Sequence, residues 1–183
     1  SYNHQKFIRE NLDSIKNQTY KNIELIVADD ASSDSSTEVF DKWLTENNWS
    51  AKKNYHSSNT GLAQTLNECL KMIAGKYVKL IAADDYLHSD YISECVSFLE
   101  FEKKLAVYTQ ADLVDENSKI MERQHFPNVT YNTVSEMRDK LFDYNFIPGA
   151  TFFSNAEIYP LVGEYPKSTL LEDYNLAFRI ASR

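Results

Sequence analysis

Residues 25–30 read Leu25-Ile26-Val27-Ala28-Asp29-Asp30, and residues 78–85 read Val78-Lys79-Leu80-Ile81-Ala82-Ala83-Asp84-Asp85. Each is a short apolar run rich in branched side chains, as a strand buried on both faces requires. Each then stops abruptly at two adjacent carboxylates. Helical patterns lie between and after them, so the chain alternates strand and helix. That alternation predicts parallel strands joined by crossover helices, an α/β fold. In open sheets of this kind, ligands sit at the carboxyl ends of the strands, where both acid pairs fall.

Working outward, residues 5–17 carry Phe7, Ile8, Leu12 and Ile15 on one helical face. Strand 23–28 leads into the polar turn 29–34. Ser35 with Glu38 makes a capping-box pattern opening a helix through Val39, Phe40, Trp43 and Leu44. A short strand is expected at 54–56. Helix 61–74 carries Leu62, Leu66, Cys69, Leu70 and Ile73, with Gly75 as its C-terminal cap. Strand 77–83 follows, then a helix capped by Ser89 or Asp90, a strand at 105–109 and a ragged β segment over 112–124. Helix 134–144, strand 150–154 and helix 170–181 complete the pattern.

Composition narrows the function. The chain has 183 residues and a formal net charge of −8, with only 4 Gly. A nucleic-acid binder would show a net basic face. With so few glycines no G-x-G-x-x-G or Walker loop can be written. The two cysteines, Cys69 and Cys95, fall on expected helices and read as buried free thiols, which suits a reducing compartment. No apolar run approaches the ~20 residues that span a bilayer.

Adjacent acids on a hydrophobic strand end repel each other, and a divalent cation is the simplest compensation. Hard cations such as Mg²⁺ take carboxylate oxygens together with substrate phosphates. An ordinary turn explains Asp29-Asp30 about as well. It explains Asp84-Asp85 less well, because Tyr86-Leu87-His88 separates that pair from the next helix. A third pair, Glu172-Asp173, opens the last helix, where acids complement the helix dipole; its spacing alone reads as a cap. His4 and His88 read as surface or capping residues. His56 and His125 show no metal-ligand spacing with the cysteines.

Taken in order, these residues resemble a known family. Tyr2-Asn3, Phe7-Ile8, Leu12, Ser14-Ile15, Gln18-Thr19-Tyr20, Asn22, Glu24 to Val27, Asp29-Asp30, Ser32 and Asp34 look like the opening of family 2 glycosyltransferases of the GT-A fold. So do Asn59-x-Gly61-Leu62 with Asn67, Gly75 to Val78, and Ile81 to Asp85 at the place of the family's D-x-D. Glu172-Asp173 with Leu176 and Arg179 continues the match to the end of the chain. The resemblance implies a three-layer α/β/α sandwich around a mostly parallel sheet, its first strand missing from this chain. It implies one domain over 1–183, with a nucleotide-sugar-binding half (1–110) and an acceptor-side half (111–183), read as a fragment of a longer protein.

Roles follow residue by residue from the resemblance. Tyr2 stands where the family stacks a ring on uracil. Asp30 stands where a carboxylate accepts from the uracil ring, with Asp29 as helper. Asp84 matches the acid near the ribose and Asp85 the ligand of a divalent metal (Mn²⁺ or Mg²⁺) that bridges to the diphosphate. Asp173 matches the general base, with Glu172 beside it. The implied reaction is inverting transfer of a sugar from a nucleotide-diphosphate donor, UDP-linked, to the hydroxyl of a saccharide or lipid-linked saccharide. The implied setting is cell-surface polysaccharide synthesis, in the cytoplasm or at the inner face of the membrane.

Ala82 stands where many members carry the first Asp of D-x-D, and Leu66 where many carry Arg. Two rivals share the acid pairs. A Mg²⁺-binding receiver-like signalling module needs a lysine at a later strand end; the expected strands at 105–109 and 150–154 end without one. A non-catalytic nucleotide-sugar-binding domain would keep the fold without the chemistry.

Overall fold

The computed structural model describes residues 1–167 and 171–182. Its first half runs α1 (Ile8–Lys16), β1 (Leu25–Asp29), α2 (Ser36–Glu46), β2 (Ala51–Tyr55), α3 (Leu62–Met72) and β3 (Tyr77–Lys79). Then follow α4 (Tyr91–Glu102), β4 (Ala106–Val107), β5 (Leu113–Val114), β6 (Ile120–Glu122) and α5 (Val134–Asp143). A 3₁₀ turn (Gly149–Thr151), β7 (Phe153–Asn155), α6 (Ile158–Val162) and α7 (Glu172–Ala181) close the order. The helix expected over 170–181 thus starts at Glu172; Leu170 lies outside the described residues. No described helix is long and apolar enough to cross a membrane.

The predicted α/β alternation is present. β1 and β2 pair in parallel, Leu25 opposite Ala51 and Asp29 opposite Tyr55, with α2 as the crossover. β3 and β4 also run the same way, but β7 lies between them, antiparallel to both. β5 and β6 form a separate antiparallel hairpin. On the other edge of β1, Ser1 N donates to Ala28 O (2.8 Å) and Asp30 N donates to Ser1 O (2.9 Å).

Local details depart from the pattern in several places: the strand expected over 150–154 opens as the 3₁₀ turn Gly149–Thr151 and is a strand only from Phe153, and the one expected at 54–56 runs over Ala51–Tyr55. The capping box does not form: Asp34, not Ser35, caps α2, its Oδ1 accepting from Ser36 N at 3.0 Å and Ser36 Oγ at 2.6 Å. A charged acceptor makes the stronger bond. Gly75 is not the cap of α3, which ends at Met72 with Ile73 already extended. The strand expected over 77–83 ends at Lys79, because the next residues turn under side chains of α1, described below.

The main core packs Ile8, Leu12 and Ile15 of α1 against Leu25 and Val27 of β1 and Phe40, Trp43 and Leu44 of α2. Ile92, Cys95 and Leu99 of α4 and Phe153 of β7 complete it. Each such side chain contributes about 1.5–3 kcal/mol by leaving water. Cys69 and Cys95 are buried free thiols, as expected. A smaller cluster joins Ala63 of α3, Ile158 and Val162 of α6, Tyr165 and Leu176 of α7. Here Asn67 acts like a strand partner: its Nδ2 donates to Tyr165 O (2.9 Å) and its Oδ1 accepts from Tyr165 N (2.7 Å). That pair closes a loop of 98 residues and holds the segment before α7 against α3.

Candidate active site

The first acid pair does two jobs. Asp29 is 1% exposed, and its Oδ1 and Oδ2 accept from Ser32 N (2.8 Å) and Ser32 Oγ (2.5 Å). It therefore builds the turn rather than facing solvent, as the turn reading anticipated. Residues 1–5 lie across that turn. Asn3 N donates to Ser32 Oγ, Ser33 N to Asn3 Oδ1, and Gln5 N to Asp34 Oδ2. Tyr2, in this stitched segment, leaves its ring 49% exposed.

Asp30 points the other way, into the turn that starts α3. Its Oδ1 accepts from Thr60 N (2.7 Å), Thr60 Oγ1 (3.1 Å) and His56 Nδ1 (2.7 Å), and its Oδ2 from Gly61 N (2.8 Å). Burial pushes this carboxyl up, but the Thr60, His56 and Gly61 donors outweigh it and leave it below the ordinary value. Gly61, at φ +91°, takes the left-handed region that lets the chain turn into α3 there.

The second pair hangs from α1. Asn11 Nδ2 donates to Ala82 O (3.0 Å) and Asp85 O (2.8 Å). Ser14 Oγ accepts from Leu87 N (3.0 Å). Gln18 Nε2 donates to His88 O (2.8 Å) and its Oε1 accepts from Ile92 N (3.0 Å). Asn11 and Ser14 share one face of α1 and Gln18 follows just beyond its C-terminal end, so these three side chains together hold the Ala82–Ile92 backbone. Asp84 is half exposed, with His4 Nδ1 3.9 Å from its Oδ1. Burial, and then the charge of Asp84, raise the Asp85 carboxyl above its ordinary value; Lys79 and His4 oppose this. Burial pulls the Lys79 ammonium down to about 8, while Asp85 holds it up. Lys79 Nζ donates to Ala150 O (2.5 Å) and lies 5.4 Å over the Tyr91 ring.

Lys79 thereby ties the neighbourhood of Asp85 to residues 149–150, where Asp173 is seated. Asp173 packs so close to Gly149 that a Cβ there would lie 2.6 Å from its Oδ2 and 2.7 Å from its Cβ. Asp173 Oδ1 accepts from Tyr174 N at 2.7 Å. Glu172 lines a cavity of about 240 Å³ with Thr60, Gly61, Leu62, Ala63, Gln64 and Lys167. Glu172 thus shares one cavity with the turn that Asp30 holds, and Asp84 and His4 face each other. Lys79, whose charge acts on Asp85, bonds to Ala150 beside the Asp173 seat.

A divalent cation suits this place. Asp85 is raised by burial and a neighbouring carboxylate, and His4 Nδ1 is buried without a partner beside Asp84. No cluster of three His, Cys, Asp or Glu groups is assembled among the described residues. Mg²⁺-type sites need only one or two carboxylates when phosphate oxygens fill the rest. His56, Glu68 and Lys79 carry parts of this arrangement that sequence alone did not reveal. Lys79 had a visible signal, a charge inside an apolar strand. Asn11 had one too, a polar residue between Ile8 and Leu12 on the helix's inner side.

The family 2 glycosyl transferase model matches residues 1–159. Among curated proteins, the chain is 34% identical over 109 residues to WfaP of Escherichia coli, a UDP-Glc:alpha-D-GlcNAc-diphosphoundecaprenol beta-1,3-glucosyltransferase. That match covers 60% of this chain and 42% of WfaP. Among solved structures, it resembles S. aureus TarS 1-349 in complex with UDP, with a TM-score of 0.74 at 19% identity over 97% of this chain and 52% of that one. The mannosyltransferase PcManGT from Pyrobaculum calidifontis, in complex with GDP-Man and Mn²⁺, gives a TM-score of 0.72 at 20% identity over 98% and 49%. The chain therefore spans about half the length of such proteins, and the solved structures share its fold, that of GT-A glycosyltransferases. With a family match over this much of its length, on a fold that sets one acid pair at the end of β1 and the other in the turn after β3, the chain belongs to glycosyl transferase family 2.

Proposed function

We propose that the chain is the donor-binding and transfer domain of a metal-dependent inverting glycosyltransferase that uses a nucleotide-diphosphate sugar, UDP-linked. The observation that carries this reading is the shared cavity: Glu172 lines it together with the Thr60–Gly61 turn that Asp30 holds. The Glu172 carboxylate thus shares one space with the start of α3, whose Thr60 and Gly61 amides are bonded to Asp30. The likeness to WfaP, TarS and PcManGT supports a nucleotide-sugar donor, and the Mn²⁺ bound to PcManGT supports a divalent cation. The diphosphoundecaprenol-linked acceptor in the name of WfaP supports a saccharide or lipid-linked saccharide acceptor, and we set the reaction in polysaccharide assembly at the inner face of a membrane.

In this reading Asp30 accepts from the base, with Tyr2 stacked on it, and Asp29 keeps the turn in shape. Asp84 faces the ribose. Asp85 would hold the cation, whose charge offsets that of the departing diphosphate. Asp173, beside Glu172, takes the proton from the acceptor hydroxyl as that oxygen attacks the anomeric carbon. The bond from that carbon to the diphosphate oxygen breaks in the same displacement, so the configuration inverts. No covalent enzyme nucleophile is needed.

Calorimetry with UDP and Mn²⁺ on the full-length protein tests the metal assignment. Asp85→Ala is expected to weaken UDP binding in Mn²⁺ by about tenfold or more, and to abolish its dependence on the metal. Equal binding by both proteins would remove Asp85 from the site.

A further inference from the structure

His56 lies at the end of β2, its side chain 10% exposed, between two carboxylates. Nδ1 is 2.7 Å from Asp30 Oδ1 and Nε2 is 2.7 Å from Glu68 Oε2. Ionised carboxylates only accept hydrogen bonds. With both carboxylates ionised and the Thr60 hydroxyl donating to Asp30 Oδ1, both ring nitrogens carry protons and the ring is an imidazolium. A neutral ring would donate to one carboxylate and turn a lone pair on the other at the same short distance.

The surroundings reinforce that state. Glu68, on α3, also accepts from Asn54 Nδ2 (3.0 Å) and Gln64 Nε2 (3.1 Å). The Asn54, His56 and Gln64 donors pull its carboxyl down to about 2. Burial works against the charged His56 ring, but the bonds and charges of Asp30 and Glu68 prevail and raise its pKa. These are the titratable groups that face it: Asp30 from β1's end and Glu68 from α3. Thr60 Oγ1, 2.8 Å from Nδ1, is the neutral neighbour in the loop between.

We infer that His56, pinned by Glu68, is a positioning residue that fixes the Asp30 carboxylate for the nucleotide, so that nucleotide affinity depends on its protonation. Three donors converge on Asp30 Oδ1 and one on Oδ2. The open lone pair is therefore on Oδ2, aimed by the crowding of Oδ1. When His56 loses a proton, either the Asp30 bond or the Glu68 bond is lost, and the carboxylate is free to turn. This rests on the reading of Asp30 as the base-binding carboxylate. The sign is fixed by the raised pKa: the ion triad's support is complete below the ordinary histidine value and fades as pH rises through the raised one.

The test compares the full-length protein with His56→Gln and Glu68→Gln, titrating UDP in Mg²⁺ by calorimetry from about pH 6 to about pH 9. The His56 ring resonances are followed by NMR over the same range. Phosphate and metal-site titrations are common to all three proteins and cancel in the comparison. Wild-type affinity is expected to fall about tenfold with rising pH, the equivalent of one unit of coupling, at the midpoint of the His56 resonances. His56→Gln should bind about tenfold more weakly with no such step. Glu68→Gln, whose side chain is partly exposed and so removes no core group, should move the midpoint down. A merely structural His56 would lower the melting temperature without creating a pH step in affinity. Constant wild-type affinity, or an unmoved midpoint in Glu68→Gln, would overturn the inference while leaving the nucleotide reading intact. Absence of UDP binding at every pH would overturn that reading, and this inference with it.

Discussion

Asp173→Asn is expected to lower the rate of sugar transfer about a thousandfold, within the range set by a positioned general base, while UDP binding stays at the wild-type level. That loss corresponds to about 4 kcal/mol of barrier. The amide keeps the shape of the carboxylate and an oxygen to accept the Tyr174 N–H, so the start of α7 is undisturbed. What it cannot do is take a proton from an attacking hydroxyl. Normal turnover by this variant would remove Asp173 from the mechanism. Gly149→Ala probes the same group through its seat. The added methyl would lie 2.6 Å from Asp173 Oδ2 and 2.7 Å from Asp173 Cβ. The carboxylate can rotate away, but Cβ moves only with the backbone of α7. The expected result is a fall in kcat of about a hundredfold from misplacement of the base, with KM for the donor little changed. An unchanged kcat would show that Asp173 works from another position, or not at all.

The acid pairs were legible because their signal is local. An apolar β-branched run that stops at Asp-Asp needs only a few consecutive residues to be seen, and β1 lies where the first run lies, whereas β3 covers only the start of the second and stops at Lys79. β2 was legible only at its end, since Lys52 and Lys53 are exposed on an edge and break the apolar pattern. The antiparallel placement of β7 between β3 and β4 was hidden. It rests on pairings between distant segments, Val78 and Ala106 both opposite Ser154, which leave no local trace. The same holds inside the site. Asp29 and Asp30 are adjacent, yet one is consumed by Ser32 and the other by Thr60, Gly61 and His56. Which of two neighbouring carboxylates faces a ligand depends on donors about thirty residues away. His56 taken alone has no metal-ligand spacing, and its partners are 26 residues before it and 12 after.

Gln18→Ala is expected to cost about 3 kcal/mol of folding stability, because it leaves buried backbone groups without partners. Gln18 is 0% exposed. Its amide nitrogen donates to Ser14 O (3.1 Å) and His88 O (2.8 Å), and its oxygen accepts from Ile92 N (3.0 Å), the first turn of α4. Alanine restores none of these bonds, and a carbonyl and an N–H of the Ala82–Ile92 segment are stranded in a space a side chain used to fill. Denaturant unfolding of the full-length protein should show the loss as a lower midpoint at unchanged slope. The same substitution carries a functional signature, since that segment presents Asp84 and Asp85. UDP affinity in Mn²⁺ should fall even under conditions where the variant is fully folded, whereas a substitution of similar cost in the main core, Leu12→Ala, should lower stability alone. If Gln18→Ala and Leu12→Ala lose stability equally and both keep wild-type UDP affinity, α1 is a core helix only and the acid-bearing segment holds its own shape. If the affinity falls only in Gln18→Ala, the polar side chains of α1 and the residues just after it, Asn11, Ser14 and Gln18, are what hold the second acid pair in place, while the apolar side of α1 at Ile8, Leu12 and Ile15 holds the fold.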